Sequence, residues 1–519
     1  MKPFVYHEYL PVDGAELFTV VCLPEAEGTF PIVIYRSPYV DQMEEMSEQE
    51  ICEHYTEMQQ AWLMDGYAVV YQHCRGRGRS SGDCIPYIYE REDGLALQAW
   101  VRGQPFYQGE IYLCGGSYLT SVHYATAPFA PDIKGAVLEV QDCERYNVIY
   151  RNGFFKIGLH GNWYVGMYKK KSLPVKHYVR DSFRMLPLCD FSRTVFGERS
   201  EDFDECLRHP DRGDPFWNTR FGGADARDAV KHAGIPILFV TGMYDIYTGG
   251  IFDMWNALDE YTRSLSALAV HPYDHSGKPD AQPLAFENGM LREAFGNYPL
   301  RWLNAVRSGE DFPFEQGKIT YYEQFGSGWQ TDAFAPAEEN ISFVLGEGER
   351  TYRYNPYAPA SFPGGLSANF GGTAWQDPPQ SRPDILTFYT PVFEKETCIK
   401  GKMTAKLCVR SNCEDTCFYM RISLVKSEGD YGLRDDINQI SGCCAHYTPG
   451  DEVMMEFAFD EHAFVIQPGE KLRIDVSSSA FPHYVPHTNN RGLFSEQTTA
   501  RIADNTVICC RSCLTLPLK

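Results

Sequence analysis

Apolar and polar positions follow two rhythms along this chain, and the change falls near residue 312. Before it, short apolar runs alternate with stretches of helical period. Strands are predicted over 16–23, 31–35, 67–71, 111–116, 135–140, 235–242 and 266–270, and helices over 48–65, 90–101, 250–262 and 287–306. The runs at 67–71 and 235–242 are continuously apolar, as strands of a parallel sheet covered on both faces must be. Alternation of this kind predicts a mainly parallel sheet with helices on either side. Between 143 and 230 the strand rhythm stops. Aromatic and charged residues take over, with helical stretches at 189–194 and 199–207. An insertion there is expected to sit over the carboxyl ends of the strands, as a cap. After 312, short β-branched and aromatic runs recur at 319–323, 341–345, 385–389, 398–409, 417–425, 451–459, 471–478 and 506–514. Regular short strands predict an all-β sandwich or jelly roll. The expected division is an α/β domain in two parts, 1–142 and 231–311, a helical cap over 143–230, and a jelly roll over 312–519.

The strongest local signal lies in the middle of the first part. The run Ile111-Tyr112-Leu113-Cys114 ends in Gly115-Gly116-Ser117, and Tyr118 to Ala127 then reads as a helix that stops at Pro128. Strand, sharp turn, serine and helix is the layout of a nucleophile elbow. The strained serine needs small neighbours, which Gly115 and Gly116 supply. Its hydroxyl would stand at the carboxyl end of a parallel strand, with a helix N-terminus behind it to favour an oxyanion. The common pattern has glycine two residues after the serine, where this chain has Leu119. Taken alone, the stretch equally fits a serine capping a core helix.

Acyl transfer by serine needs a base to take the hydroxyl proton and a carboxylate to hold that base. The strand at 235–242 leads into Met243-Tyr244-Asp245, and the strand at 266–270 into His271-Pro272-Tyr273-Asp274-His275. Ser117, Asp245 and His275 thus each follow a predicted strand, in the chain order of α/β-hydrolases. His275 is favoured over His271, which is nearer the strand end and precedes a proline, and over His123 on the elbow helix. Asp245 is favoured over Asp274, because a sequence neighbour cannot easily fold back onto the ring of His275.

Composition narrows the partners. A chain of 519 residues with 44% hydrophobic and 14% aromatic residues can fill two or three cores. Lys and Arg number 47 against 69 Asp and Glu, and the net charge of −22 argues against nucleic acid or anionic membranes. No apolar leader and no stretch of about 18 uncharged apolar residues appear, so a cytoplasmic protein is expected. Seventeen cysteines read as free thiols. Cys510 and Cys513, and the close pair Cys413 and Cys417, lack a second ligand pair at a fitting offset, so no metal is expected. The loop Arg75-Gly76-Arg77-Gly78-Arg79-Ser80-Ser81-Gly82-Asp83 matches neither phosphate-binding fingerprint, and its arginines are expected to pair with nearby acids.

In combination these segments resemble the CocE/NonD hydrolases, the group that includes cocaine esterase, α-amino-acid ester hydrolases and X-Pro dipeptidyl-peptidase. Asp13-Gly14, the strand after it and Pro24 are similar to the family's opening. Tyr35-Arg36-Ser37-Pro38-Tyr39 resembles its Arg-x-Pro-Tyr segment, and Arg75 to Gly82 its Arg-Gly-x-Gly-x-Ser-x-Gly loop. Glu90, Asp93-Gly94, Trp100 and Gln104-Pro105-Phe106 fit the helix and turn before the elbow, and Gly115-Gly116-Ser117-Tyr118 fits Gly-x-Ser-Tyr. Phe481-Pro482 with Asn489-Asn490 resembles the C-terminal jelly roll. The resemblance implies a Ser117, Asp245, His275 triad, an oxyanion hole from the Tyr39 phenol and the Tyr118 backbone N–H, and a cap and jelly roll as above. Two departures stand out. Thr120 replaces a usual glycine and is expected to tighten the elbow. His271-Pro272-Tyr273-Asp274 replaces a usual Gly-Pro-Trp-x, and Asp274 is expected to raise the imidazole pKa.

The expected fold is therefore an α/β-hydrolase domain with an inserted helical cap and a C-terminal all-β jelly roll. The expected activity is ester, or amide, hydrolysis through an acyl-enzyme. An X-Pro dipeptidyl-peptidase-type aminopeptidase ranks second, since the chain begins close to the hydrolase core. An inert carbohydrate- or ligand-binding protein on the same fold is the alternative from another class. Ile246-Tyr247-Thr248, just after Asp245, are not acidic, which argues against the amino-acid ester hydrolases. Phe154, Trp163, Tyr164 and Tyr247 are the candidate substrate contacts. The insertion's aromatics, Phe155 and Tyr168 included, fit either an apolar acyl pocket or the cap's own core. The expected partner is a small ester or amide, with self-association to a dimer and no organic cofactor.

Overall fold

In the computed structural model, which describes residues 3–168, 182–220, 226–279, 284–366 and 372–519, ten strands build one sheet. β1 (Phe4–Val12), β2 (Ala15–Leu23), β3 (Phe30–Ser37), β4 (Ala68–His73), β5 (Tyr107–Gly116) and β6 (Ile133–Glu139) precede the insertion. Two short strands, β7 (Tyr150–Arg151) and β8 (Phe154–Phe155), pair within it. β9 (Ile237–Gly242), β10 (Ala267–His271), β11 (Ile319–Glu323) and β12 (Gly328–Asp332) follow it. The sheet order is β1-β2-β4-β3-β5-β6-β9-β10-β11-β12. The strands from β4 to β11 in that order run parallel, and β1, β2 and β12 add antiparallel edges. Every residue of β4, β9 and β10 is buried, which is what their unbroken apolar runs require.

Three predicted helices prove to be pairs. Residues 48–65 divide at Gln59 into α1 (Glu48–Met58), opened by a Ser47–Glu50 capping box, and α2 (Gln60–Met64). Residues 250–262 divide into Thr248–Ala257 and Glu260–Leu265, because the Asp259 side chain accepts the Thr262 N–H and starts a new helix. The expected helix over 287–306 divides into Leu291–Phe295 and Tyr298–Ser308 around Gly296, whose φ of 67° no helix tolerates. α3 (Glu90–Arg102) stands as expected, and α4 (Tyr118–Tyr124) starts as expected but ends three residues before Ala127. β1 has no counterpart in the prediction; it is an edge strand with one buried residue, Leu10.

The strand at 319–323, grouped from its sequence with the strands of the second domain, joins the ten-stranded sheet. β11 pairs in parallel with β10, Leu268 opposite Ile319, and β12 returns antiparallel. A short apolar run shows that it is a strand but not which sheet it joins. Beyond it lie β13 (Glu339–Val344), β14 (Glu349–Tyr354), β15 (Leu386–Tyr389), β16 (Thr397–Gly401), β17 (Thr404–Ser411), β18 (Cys417–Val425), β19 (Asp430–Gln439), β20 (Val453–Ala458), β21 (His462–Ile466), β22 (Lys471–Ser477), β23 (Ala503–Ile508) and β24 (Cys513–Leu518). They form an eight-stranded sheet and the four-stranded sheet β15-β22-β18-β19. Leu407, Val409 and Val507 of the first share a core with Met420, Ile422 and Ile474 of the second, as in a β-sandwich.

The insertion contains α5 (Arg145–Ile149), the β7–β8 hairpin, a π-helical turn at Ile157–Gly161 and α6 (Asn162–Tyr168). Its aromatic core, which includes Tyr150, Phe155, Phe191, Phe203 and Trp217, extends to Ile246 and Tyr247 after β9 and to Phe494. Arg151 ties it to the sandwich through Asp436 at 2.8 Å and Asp460 at 2.9 Å.

Candidate active site

Ser117 sits between β5 and α4 at φ 57°, ψ −129°, the strained geometry of an elbow. Of its two glycines, Gly115 is the one the turn demands. A Cβ there would lie 2.5 Å from the Leu119 carbonyl oxygen, whereas at Gly116 the nearest atom is 3.5 Å away. The Ser117 N–H donates to the Glu139 carbonyl at 3.0 Å. Thr120 reinforces the same joint: its hydroxyl lies 2.7 and 2.8 Å from the Gly115 and Glu139 carbonyls and accepts the Glu139 N–H at 3.0 Å. The expected tightening by Thr120 is thus a set of hydrogen bonds across β5, α4 and β6.

The turns after β9 and β10 are stitched together by Met243 N–H to the His271 carbonyl (2.7 Å) and Tyr244 N–H to the Tyr273 carbonyl (3.0 Å). This brings Asp245 and His275 face to face. His275 Nδ1 is 3.1 Å from Asp245 Oδ1, and His275 Nε2 is 3.0 Å from Ser117 Oγ. Asp245 is fully buried, and its Oδ1 also accepts the Tyr247 N–H at 3.0 Å. Burial pulls the His275 pKa down, but the charge and hydrogen bond of Asp245, with the charge of Asp274, outweigh it and leave the imidazole raised. The competitors take other places. Asp274 closes its own turn on Ser276. His271 and His123 are packed inside, and burial pushes both down to about 4. His123 Nε2 faces the Cys114 carbonyl at 3.1 Å.

The Tyr118 N–H is the first of α4 and has no acceptor within the helix. The Tyr118 phenol points elsewhere, donating to Glu90 at 2.7 Å, and Glu90 pairs with Arg36 at 2.7 Å. Tyr39 follows β3 and lines the cavity above Ser117. Burial raises its pKa, and hydrogen bonds with Trp163 and Ser117 draw it back. The glycine-rich loop holds this corner. The buried Arg77 donates to the Pro38 carbonyl (2.9 Å) and the Met167 carbonyl (2.7 Å) and pairs with Asp41, while Arg75 pairs with Asp93 at 2.6 Å. Arg75 and Arg77 therefore meet acids, as expected, whereas Arg79 donates to the Met43 and Met46 carbonyls.

A cavity of about 320 Å³ opens over Ser117, His275 and Tyr39. Trp163 and Tyr247, two of the four candidate contacts, line it. Phe154 and Tyr164 do not. Phe154 packs against Phe362, Tyr419 and Tyr484 at the sandwich, and Tyr164 is core of the insertion, bonded to Ser200 at 3.0 Å and to Asp202. Tyr168's side chain lies outside the described residues. Four lining residues, Tyr87, Val148, Leu159 and His160, have no forecast in the sequence, and two of them are polar. Tyr87, at φ 68°, packs on Tyr118 with its ring tilted by 41° at 4.4 Å, beneath the Arg145 guanidinium at 3.5 Å. His160, on the π-helical turn, lies parallel to Phe203 (6.0 Å, 2°), and burial with the charge of Arg145 holds it well below the usual range. No motif marks either residue.

All seventeen cysteines are free thiols. Among the described residues, no group of His, Cys, Asp and Glu is arranged to hold a metal ion, and no helix is long and apolar enough to cross a membrane.

Residues 13–277 match the family model described as X-Pro dipeptidyl-peptidase (S15 family), and residues 315–511 that of the X-Pro dipeptidyl-peptidase C-terminal non-catalytic domain. The chain is 23% identical over 550 residues to cocaine esterase of Rhodococcus sp. (strain MB1 Bresler), an alignment covering 93% of this chain and 92% of that one. Among solved structures, an aminopeptidase from the marine sediment archaeon Thaumarchaeota archaeon superposes with a TM-score of 0.84 at 18% identity, over 100% of this chain and 96% of the other. An α-amino acid ester hydrolase gives 0.82 at 18% identity, over 100% and 97%. A CocE/NonD family hydrolase from Staphylococcus aureus gives 0.67 at 14%, again over 100% and 97%. At these identities the superpositions establish a shared fold along the whole chain.

Proposed function

Because the chain belongs to the S15 family of X-Pro dipeptidyl-peptidases, we propose that it is a serine hydrolase of CocE/NonD type that cleaves small carboxylic esters. The observation that carries this reading is the continuous line from Ser117 Oγ through His275 to Asp245, at 3.0 and 3.1 Å, under a cavity sized for a small molecule.

In the proposed reaction His275 Nε2 takes the Ser117 proton as Oγ bonds to the ester carbonyl carbon. The carbonyl π electrons move onto the oxygen, which the Tyr39 O–H and the Tyr118 N–H receive. The C–O bond to the alcohol breaks, and the alcohol leaves with the proton from His275. Water, deprotonated by the same imidazole, then releases the acid and restores Ser117. Asp245, dry and bonded to Nδ1, favours the tautomer with Nε2 unprotonated and stabilises the imidazolium that forms.

The cavity favours a neutral acyl group. Among the described lining residues none is a carboxylate that could hold a substrate ammonium, and Tyr87, Trp163 and Tyr247 offer aromatic faces. The seventeen free thiols support placing the protein in a reducing compartment, the cytoplasm. Initial rates on p-nitrophenyl acyl esters, benzoyl esters, aminoacyl esters and Gly-Pro-p-nitroanilide test the reading. Turnover of the simple or aromatic esters is expected. Selective cleavage of the Gly-Pro anilide would make the protein a peptidase instead. No turnover, with no fluorophosphonate on Ser117, would make it a binding protein.

A further inference from the structure

We infer that Trp163, supplied by the insertion, is a positioning residue that sets the Tyr39 phenol to donate into the oxyanion hole. This rests on the serine-hydrolase reading above and goes beyond it, because it makes the insertion part of the hole as well as a wall of the pocket.

Trp163 Nε1 lies 3.0 Å from the Tyr39 hydroxyl oxygen. An indole N–H can only donate, so the direction of this bond is not in question. A phenol has one proton and two lone pairs. With the indole proton on one lone pair, the phenol's own proton is left to donate elsewhere, and the incoming bond polarises it in that direction. Without the indole the hydroxyl would keep only its contact with Ser117, which moves during the reaction. The Trp163 ring also stacks on Tyr118 (5.8 Å, 22°), the residue whose backbone supplies the other donor, and Tyr39 meets Tyr118 edge-on at 6.4 Å. Arg77 fixes the spacing from behind: one guanidinium binds the Pro38 carbonyl beside Tyr39 and the Met167 carbonyl of α6, the helix that carries Trp163. A tryptophan used only to contact substrate would need none of this.

The test is a double-mutant cycle of Trp163→Phe and Tyr39→Phe, with kcat and KM measured on a p-nitrophenyl ester. Phenylalanine keeps an aromatic ring at position 163 and removes the N–H. Trp163→Phe is expected to lower kcat about 5- to 10-fold with KM near wild type, the effect of one hydrogen bond. Tyr39→Phe should cost about 10²–10³-fold. In the Tyr39→Phe background the Trp163 change should then cost less than about twofold. The rate of Ser117 phosphonylation by a small fluorophosphonate reads the same hole without an acyl pocket, and should follow the same pattern. A Trp163 effect that persists undiminished without the Tyr39 hydroxyl, or that falls on KM alone, would overturn the inference. A wild-type protein that neither turned over esters nor took the phosphonate would overturn the hydrolase reading and this inference with it, an outcome distinct from the other two.

Discussion

The Tyr244 hydroxyl donates to the Gly432 carbonyl across 2.8 Å, joining the turn that carries Asp245 to β19 of the sandwich. The Arg434 guanidinium lies over the Tyr244 ring at 5.5 Å, and Tyr431 meets it edge-on at 6.3 Å. The second domain thus forms the wall behind the proposed catalytic acid. Tyr244→Phe should cost about 1 kcal/mol of stability, and Tyr244→Ala about 3–5 kcal/mol, as for other large buried aromatics. Both should lower kcat as Asp245 loosens. Denaturant unfolding with parallel ester assays checks this, and a Tyr244→Ala protein of unchanged stability and rate would contradict it.

The elbow predicts a contrast between adjacent glycines. Gly115→Ala pushes a methyl group into the Leu119 backbone at 2.5 Å, where nothing flexible can yield. Loss of about 1–3 kcal/mol, and displacement of Ser117, is expected. Gly116→Ala meets ordinary contacts and should stay within about 0.5 kcal/mol of wild type. Melting temperature and Ser117 labelling of the two variants decide it.

Thr120 gives a third expectation. Its hydroxyl is fully buried and bridges Gly115 and Glu139. Thr120→Val keeps the shape and removes the hydroxyl's bonds to the Gly115 carbonyl and the Glu139 N–H, while the Glu139 carbonyl keeps the Ser117 N–H, at about 1–3 kcal/mol. Thr120→Ser should recover most of that in the same unfolding experiment.

The pH profile carries a fourth. The proposed base must be neutral, so kcat/KM should fall as pH drops through the His275 pKa, which lies above the ordinary histidine value. Asp274→Asn removes a negative charge that favours the imidazolium. It should lower that pKa and move the acid limb to lower pH. An acid limb that stays in place or moves up would show that Asp274 does not act on the ring.

What the sequence makes legible follows from locality. Ser117, Asp245 and His275 each end an apolar strand, and their order along the chain is itself information. Tyr87 and His160 are silent, because one depends on a left-handed backbone and the other on a π-helical turn. Phe154, Trp163 and Tyr164 look alike as residues of one aromatic-rich segment, and only the fold sends Trp163 to the cavity and the other two to cores. β19 escapes prediction because it buries Arg434, Asp435 and Asp436, with Asp435 bonded to the Tyr419 hydroxyl and Asp436 paired with Arg151. A strand whose interior is satisfied by partners far away in the chain has no apolar signature of its own.

The most direct test of the account is a rapid-mixing experiment with a p-nitrophenyl ester, followed by acid quench and mass analysis of the Ser117 peptide. The account predicts a burst of nitrophenol and one acyl group on Ser117, both absent in Ser117→Ala, whose kcat/KM should fall by about 10⁴-fold or more. Hydrolysis at the wild-type rate by Ser117→Ala, with no acyl group on the peptide, would contradict it.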